Sequence, residues 1–179
     1  LAHDVFMNKK TPNVLKIENG VPNPDDALRI FCEVVGVTLY RESNKVPECT
    51  GDSPLYLDFP GLSLGRMDDW TKAKQTLDDL QVRTRVLVLN SAYDKQVLKR
   101  TITAGQNIGA THIALSHFDE ITDSTKLWPL LLRNSLSPLC ICNGQNVTGD
   151  FSTNVLNQMI ARTFPEELYA RGFSTYRNI

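Results

Sequence analysis

Histidine and cysteine are scarce in this chain of 179 residues, at three and four respectively, and neither type clusters. His3, His112 and His117 share no metal-ligand spacing. Cys32, Cys49, Cys140 and Cys142 contain no C-x-x-C pair, so neither a zinc site nor a dithiol redox motif is expected. Thiols without such a pattern are expected to be reduced core residues, Cys140 and Cys142 included. No sign of charge dominates: 19 basic against 20 acidic residues leave a net charge of −1. There is no dense basic run, which removes the general electrostatic case for direct nucleic-acid binding. Long apolar runs are also missing. Nothing approaches the roughly 20 residues of a membrane-spanning helix, and no signal peptide is expected. Asn146-Val147-Thr148 fits a glycosylation sequon but carries no weight without a secretion signal. What is there is a 41% hydrophobic chain without repeats or a shift in composition, enough for one domain over 1–179.

The apolar residues alternate between two periods. Leu1, Val5 and Phe6 suit the inner side of a helix already under way, and Val14 to Ile17 reads as a strand. A breaker-rich loop, Glu18 to Pro24, leads to Asp25 and Asp26, which are expected to cap a helix. Leu28, Ile30, Phe31, Val34 and Val35 would be its inner face, and Gly36 its stop. Strands follow at 37–40 and 55–57, separated by a polar irregular stretch. Asp68 and Asp69 are expected to cap a helix through Leu80, with Trp70, Ala73 and Leu77 inward. Then come a core strand over 85–89, a helix over 94–106, a strand over 112–116, a helix over 125–132, a strand over 139–141 and a helix over 152–163. Pro165 to Ile179 is expected to dock as a last helix. Strands alternating with helices imply right-handed crossovers. The class is α/β, a three-layer α/β/α arrangement around a mainly parallel sheet.

Open parallel sheets bind ligands at the carboxyl ends of their strands, and three loops fall there. Ser116-His117-Phe118-Asp119 ends an apolar run in a carboxylate that could accept two N–H bonds from one edge of a guanine, or simply serve as a cap. Adenine offers a different donor pattern, and leaving one oxygen unpaired would cost about 1–3 kcal/mol. Asp58-Phe59-Pro60-Gly61 is either an ordinary turn, or a carboxylate able to hold Mg²⁺ through water beside a glycine N–H facing a terminal phosphate. Asn143-Gly144-Gln145 is either a plain strand-to-loop turn or backbone for the other side of the base. The three are expected to converge on one rim.

The combined string resembles the G domain of the signal-recognition-particle GTPases, and within that group its flagellar branch, FlhF. The resemblance is carried by Leu28-Arg29-Ile30-Phe31 with Gly36-Val37, by Leu87 to Ala92, and by Gly109-Ala110-Thr111-His112 through Asp119-Glu120. It continues in Leu136 to Leu139 and in Gly144-Gln145 with Gly149-Asp150. It implies a P-loop-type G domain truncated on its N-terminal side, with GTP or GDP and Mg²⁺ as ligands. It also implies a second copy or a related GTPase as partner, and a cytoplasmic location with peripheral association at the inner membrane face.

The departures bear on catalysis. The Gly-rich phosphate-cradling loop with its Lys and Thr is absent. Glu18-Asn19-Gly20-Val21 stands where the family has Asp-Thr-x-Arg, Ala27 where it has Gln, and Leu62 where it has the Arg of its third motif. Glu18 could still order a water or Mg²⁺, but Val21 cannot neutralise charge on a transferred phosphoryl. Losing such an arginine costs on the order of 10³ in rate in related sites. Weak or absent hydrolysis is therefore expected, with a catalytically degenerate docking module of the same fold as the alternative. A phosphorelay receiver, faintly echoed by the Asp58 loop, lacks the required late-strand Lys.

Overall fold

The computed structural model describes residues 1–20, 23–146 and 149–164. They fall into two compact units, Leu1–Ala73 and Lys74–Ile179. Each is treated by itself.

The first unit is built on a three-stranded parallel sheet in the order β2-β1-β3, with β1 at Asn13–Lys16, β2 at Thr38–Tyr40 and β3 at Leu55–Asp58. Its core joins Val14, Cys32, Val35 and Val37, with Leu1, Val5, Leu28 and Phe31 packed around them. Helix α2, Asp26–Val35, ends at Gly36 in the left-handed conformation (φ 74°), where glycine costs no Cβ strain. Ile30 and Val34 lie exposed on that helix instead of inward, because the buried stripe runs through Cys32 and Val35. Phe6, on the short helix α1 (Ala2–Phe6), is also exposed: five residues are too few to turn all three apolar side chains inward. Asp25 does precede α2 but makes no side-chain cap bond; its carboxylate faces cations instead.

Helix α3, Met67–Asp79, crosses the division between the units. Asp68 and Asp69 sit inside its first turn, and Trp70, Ala73 and Leu77 are buried as expected. The acidic pair thus complements the helix dipole from within the turn.

The second unit carries a four-stranded sheet in the order β4-β5-β6-β7. Its first three strands, Val86–Asn90, His112–Ser116 and Ser137–Cys142, run parallel. The central strand β5 is Ile113, Ala114 and Leu115, all buried. β4 is the outer strand, so Leu87 and Leu89 are buried while Val86 and Val88 are exposed. Helix α4, Lys95–Asn107, is capped by Asp94, whose carboxylate accepts the Gln96 N–H at 2.7 Å. Its Gly105 allows close approach to β4: a Cβ there would stand 2.6 Å from a Leu87 methyl.

Three expectations change here. The helix over 125–132 shrinks to α5, Trp128–Leu132, because the preceding residues form turns in which Asp123 ties the Thr125 N–H and hydroxyl. The strand at 139–141 extends to 137–142. The last described helix, α6, begins at Val155 rather than Ser152, since Phe151–Ser152 pairs antiparallel to β6 as β7. The helix expected over Pro165–Ile179 lies outside the described residues. The α/β class with mainly parallel strands is found, and no described helix is long and apolar enough to cross a membrane.

Candidate functional site

In the second unit, parallel neighbours β4, β5 and β6 all end on one edge, and chain direction alone puts the following loops there. After β4, the Ser91 N–H donates to the Ser116 carbonyl at 2.8 Å, tying the first loop to the second. The Ser116 hydroxyl donates to the Leu89 carbonyl at 3.2 Å and lies 3.0 Å from His117 Nδ1. With that hydroxyl hydrogen committed, the ring nitrogen is the donor. His117 adopts the left-handed conformation, φ 52°, uncommon for a side chain with a Cβ. This turn sends Phe118 into the core, fully buried, and leaves Asp119 in solvent within a single 3₁₀ turn. The Asp119 carboxylate has no partner among the described residues, and His117, not Asp119, holds the cap position. The cap alternative for Asp119 is thereby removed.

After β6, Asn143 donates its N–H to the Asp150 carbonyl at 2.7 Å, and the Asn146 N–H reaches the Asp150 carboxylate at 2.9 Å. Gly144 is required by that fold-back: a Cβ would fall 2.3 Å from Asp150 Oδ2. Gln145 is exposed. One residue that the sequence pattern did not single out binds the two loops together. Arg162, on α6, donates to the Ile121 carbonyl at 2.6 Å and to Asn143 Oδ1 at 3.2 Å, and lies 5.2 Å over the Phe118 ring. Nothing in its local spacing distinguishes it from a solvated last-turn arginine. Ser116, His117, Asp119, Asn143, Gly144 and Gln145 thus sit on consecutive strand ends of one sheet edge.

Glu18, Asp58 and Gly61 belong to the first unit. There β1 and β3 end side by side, Lys16 in register with Asp58. The Ile17 N–H donates to the Asp58 carbonyl at 2.8 Å, and Asn23 donates its amide to Asp58 Oδ2 at 3.1 Å. The unexpected member is Lys16, buried at the strand end with its ammonium 3.7 Å from Asp25 and 4.0 Å from Glu18. A buried ammonium requires such partners. Asp25 also takes an ion pair from Arg41. Burial pushes the Asp25 carboxyl up, but the hydrogen bond and charge of Arg41, with Lys16 behind them, outweigh it and hold it below the usual range. Asp58 in turn adds to the effect of burial in raising the Cys32 thiol. At Gly61 a Cβ would meet open space, so packing does not dictate the glycine. Among the described residues no three acidic, histidine or cysteine side chains gather to hold a metal ion. Of the Asp58 carboxylate, Oδ2 is already engaged by the Asn23 amide.

Comparison with known proteins gives structures alone. No family model matches the sequence, and no curated protein matches it. Among solved structures, FlhF complexed with GTP and Mg²⁺ superposes with a TM-score of 0.70, and FlhF complexed with GMPPNP and Mg²⁺ with 0.63. Both alignments have 16% identity and cover 85% of this chain and 61% of the FlhF chain, so the chain spans under two thirds of FlhF. At that identity the likeness is one of fold: an α/β, GTPase-like G-domain fold resembling that of FlhF.

Proposed function

We propose that this chain is the guanine-reading part of an FlhF-like G domain of the signal-recognition-particle type, serving protein targeting or flagellar assembly. The observation that carries the reading is the unpartnered, exposed Asp119 at the end of β5, set between the loops that follow β4 and β6. A carboxylate so placed, held by a turn whose geometry His117 and Phe118 fix, can accept two N–H bonds from a guanine edge. Gly144 has its Cβ side filled by the Asp150 carboxylate, so its loop would meet the other side of the base with backbone alone. The solved relatives by fold carry GTP or its analogue with Mg²⁺. By extension Asp58 would hold Mg²⁺ through a water and Gly61 would offer its N–H to a phosphate.

The test separates base from phosphate. Titrating the ¹⁵N-labelled chain with GMP and AMP should show GMP preferred by about tenfold or more, the equivalent of roughly 1.4 kcal/mol. Asp119→Ala should abolish the preference; unchanged affinity in that variant would remove the base-reader assignment.

Hydrolysis is the weaker half of the family's chemistry here. Glu18 lies within ion-pair distance of the buried Lys16 ammonium, and Val21, Ala27 and Leu62 replace an Arg, a Gln and an Arg. These substitutions favour a nucleotide-responsive docking module, with a second copy or a related GTPase as partner at the inner face of a membrane. GTP turnover no faster than in buffer is the expected result. Robust turnover would reject the degenerate reading.

A further inference from the structure

A second candidate site lies on the other unit-two helices. Between α4 and α5 a cavity of about 340 Å³ is lined by Lys95, Lys99 and Arg133, over a floor that includes Ile102, Pro129 and Leu130. We propose that this cavity binds a phosphoryl group, carried either by a soluble phosphomonoester or by a phospholipid headgroup. None of its lining residues belongs to the sheet-edge loops, so the inference does not rest on the nucleotide reading.

Two helical cations elsewhere are neutralised at helical spacing, Arg29 by Glu33 and Lys74 by Asp78. Helix α4 abandons that habit. It carries Lys95, Lys99 and Arg100 and not one acidic residue. Lys95 and Lys99 stand four apart, where like charges repel. The cationic heads of Lys95, Lys99 and Arg133 have no hydrogen-bond or ion-pair partner among the described residues. The nearest carboxylate in sequence, Asp94, is spent on the Gln96 N–H.

Three cations that no described carboxylate neutralises, lining one concavity, call for a ligand with more than one negative charge. A phosphomonoester carries nearly two at neutral pH, whereas a single carboxylate would leave two cations unmatched. The Arg133 guanidinium offers a planar fork for two phosphate oxygens, and the lysines act as point charges beside it. The apolar floor suits a short carbon skeleton, and the volume lies at the lower end of small-molecule sites.

The experiment uses the full chain, ¹⁵N-labelled, titrated with glycerol phosphate and separately with glycerol. It is paired with co-flotation on phosphatidylcholine vesicles with and without phosphatidic acid. Lys99→Glu and Arg133→Glu are the test variants. Arg100→Glu, next in sequence but not in the cavity lining, is the charge control. Glycerol phosphate should shift α4 and α5 amides, with binding weakened about tenfold or more in both test variants and kept in the control. Binding to phosphatidic acid vesicles alone, with the same variant pattern, would assign the headgroup source. Absence of both, shifts confined to other elements, or equal loss in Arg100→Glu would overturn the site. If a glutamate variant fails to melt like the parent, Lys99→Gln and Arg133→Gln carry the test.

Discussion

At the scale of single residues, two side-chain arrangements make sharp predictions. A Cβ on Gly144 would press on Asp150, which folds back over it with its carboxylate held by the Asn146 N–H. Gly144→Ala should cost about 1–3 kcal/mol, the scale of a lost hydrogen bond or a strained contact. In an Asp150→Ala background most of that cost should vanish, and urea midpoints of the four proteins give the coupling. Tyr56 is the second case. Burial, then its hydrogen bond to Asp4 and the charge of that carboxylate, push its phenol from 10.0 up to about 12. The same bond holds the Asp4 carboxyl below its ordinary range. A raised folded-state pKa means that Tyr56 contributes its stability fully below about pH 10 and loses it as pH rises through about 12. A phenolate absorbance titration, differenced against Tyr56→Phe, should place this ionisation near 12, and Asp4→Asn should lower it. Neither effect was legible in the residues alone. Gly144 reads as a turn glycine, and Asp4 and Tyr56 lie 52 positions apart. The buried Lys16 was equally hidden, since a lysine ending a strand is ordinarily solvated.

At the scale of elements, the pattern of apolar residues was a good guide to where the longer strands and helices lie, though not to the buried face of α2. The strand expected at 112–116 is β5 to the residue, because Ile113, Ala114 and Leu115 are buried together between flanking strands. Short elements escaped: two residues of β7 carry no period, and five of α5 cannot be told from the turns before it. Packing between elements gives the next prediction. Gly105 in the interior of α4 is a poor helix former, yet an alanine there would drive its Cβ to 2.6 Å from Leu87 Cδ2. Alanine should gain about 0.5–1 kcal/mol of helix propensity. Overpacking, typically 1–3 kcal/mol, should win, and Gly105→Ala should lower the thermal midpoint. Combined with Leu87→Ala, the two losses should sum to less than their separate values, because the clash is then relieved. The guanine-reading loops depend on elements in the same way: their positions were readable from strand ends, whereas their link through Arg162 required α6 to be in place.

At the scale of the molecule, each sheet has a centre and an edge, and stability should follow. β1 in the first unit and β5 and β6 in the second are bonded on both sides, but the β7 side of β6 is paired over two residues only. Native-state hydrogen exchange should therefore find the slowest amides of each unit in β1 and β5, with β2 and β7 exchanging faster. Protection that is highest in β2 or β7 would contradict the strand order. The amino-acid sequence by itself determined the alternation of strand and helix, the α/β class, and the turns at which chemistry could occur. Those features follow from periodicity and from Gly, Pro and Asp placed along the chain, all of them local properties. The folded structure alone decided which carboxylates are spent and which are free. Asp25 is neutralised by Lys16 and Arg41, Asp58 is engaged by Asn23, and Asp119 meets no partner among the described residues. Pairing depends on which distant segments meet, and that distance is set by packing of the whole core rather than by neighbours in sequence.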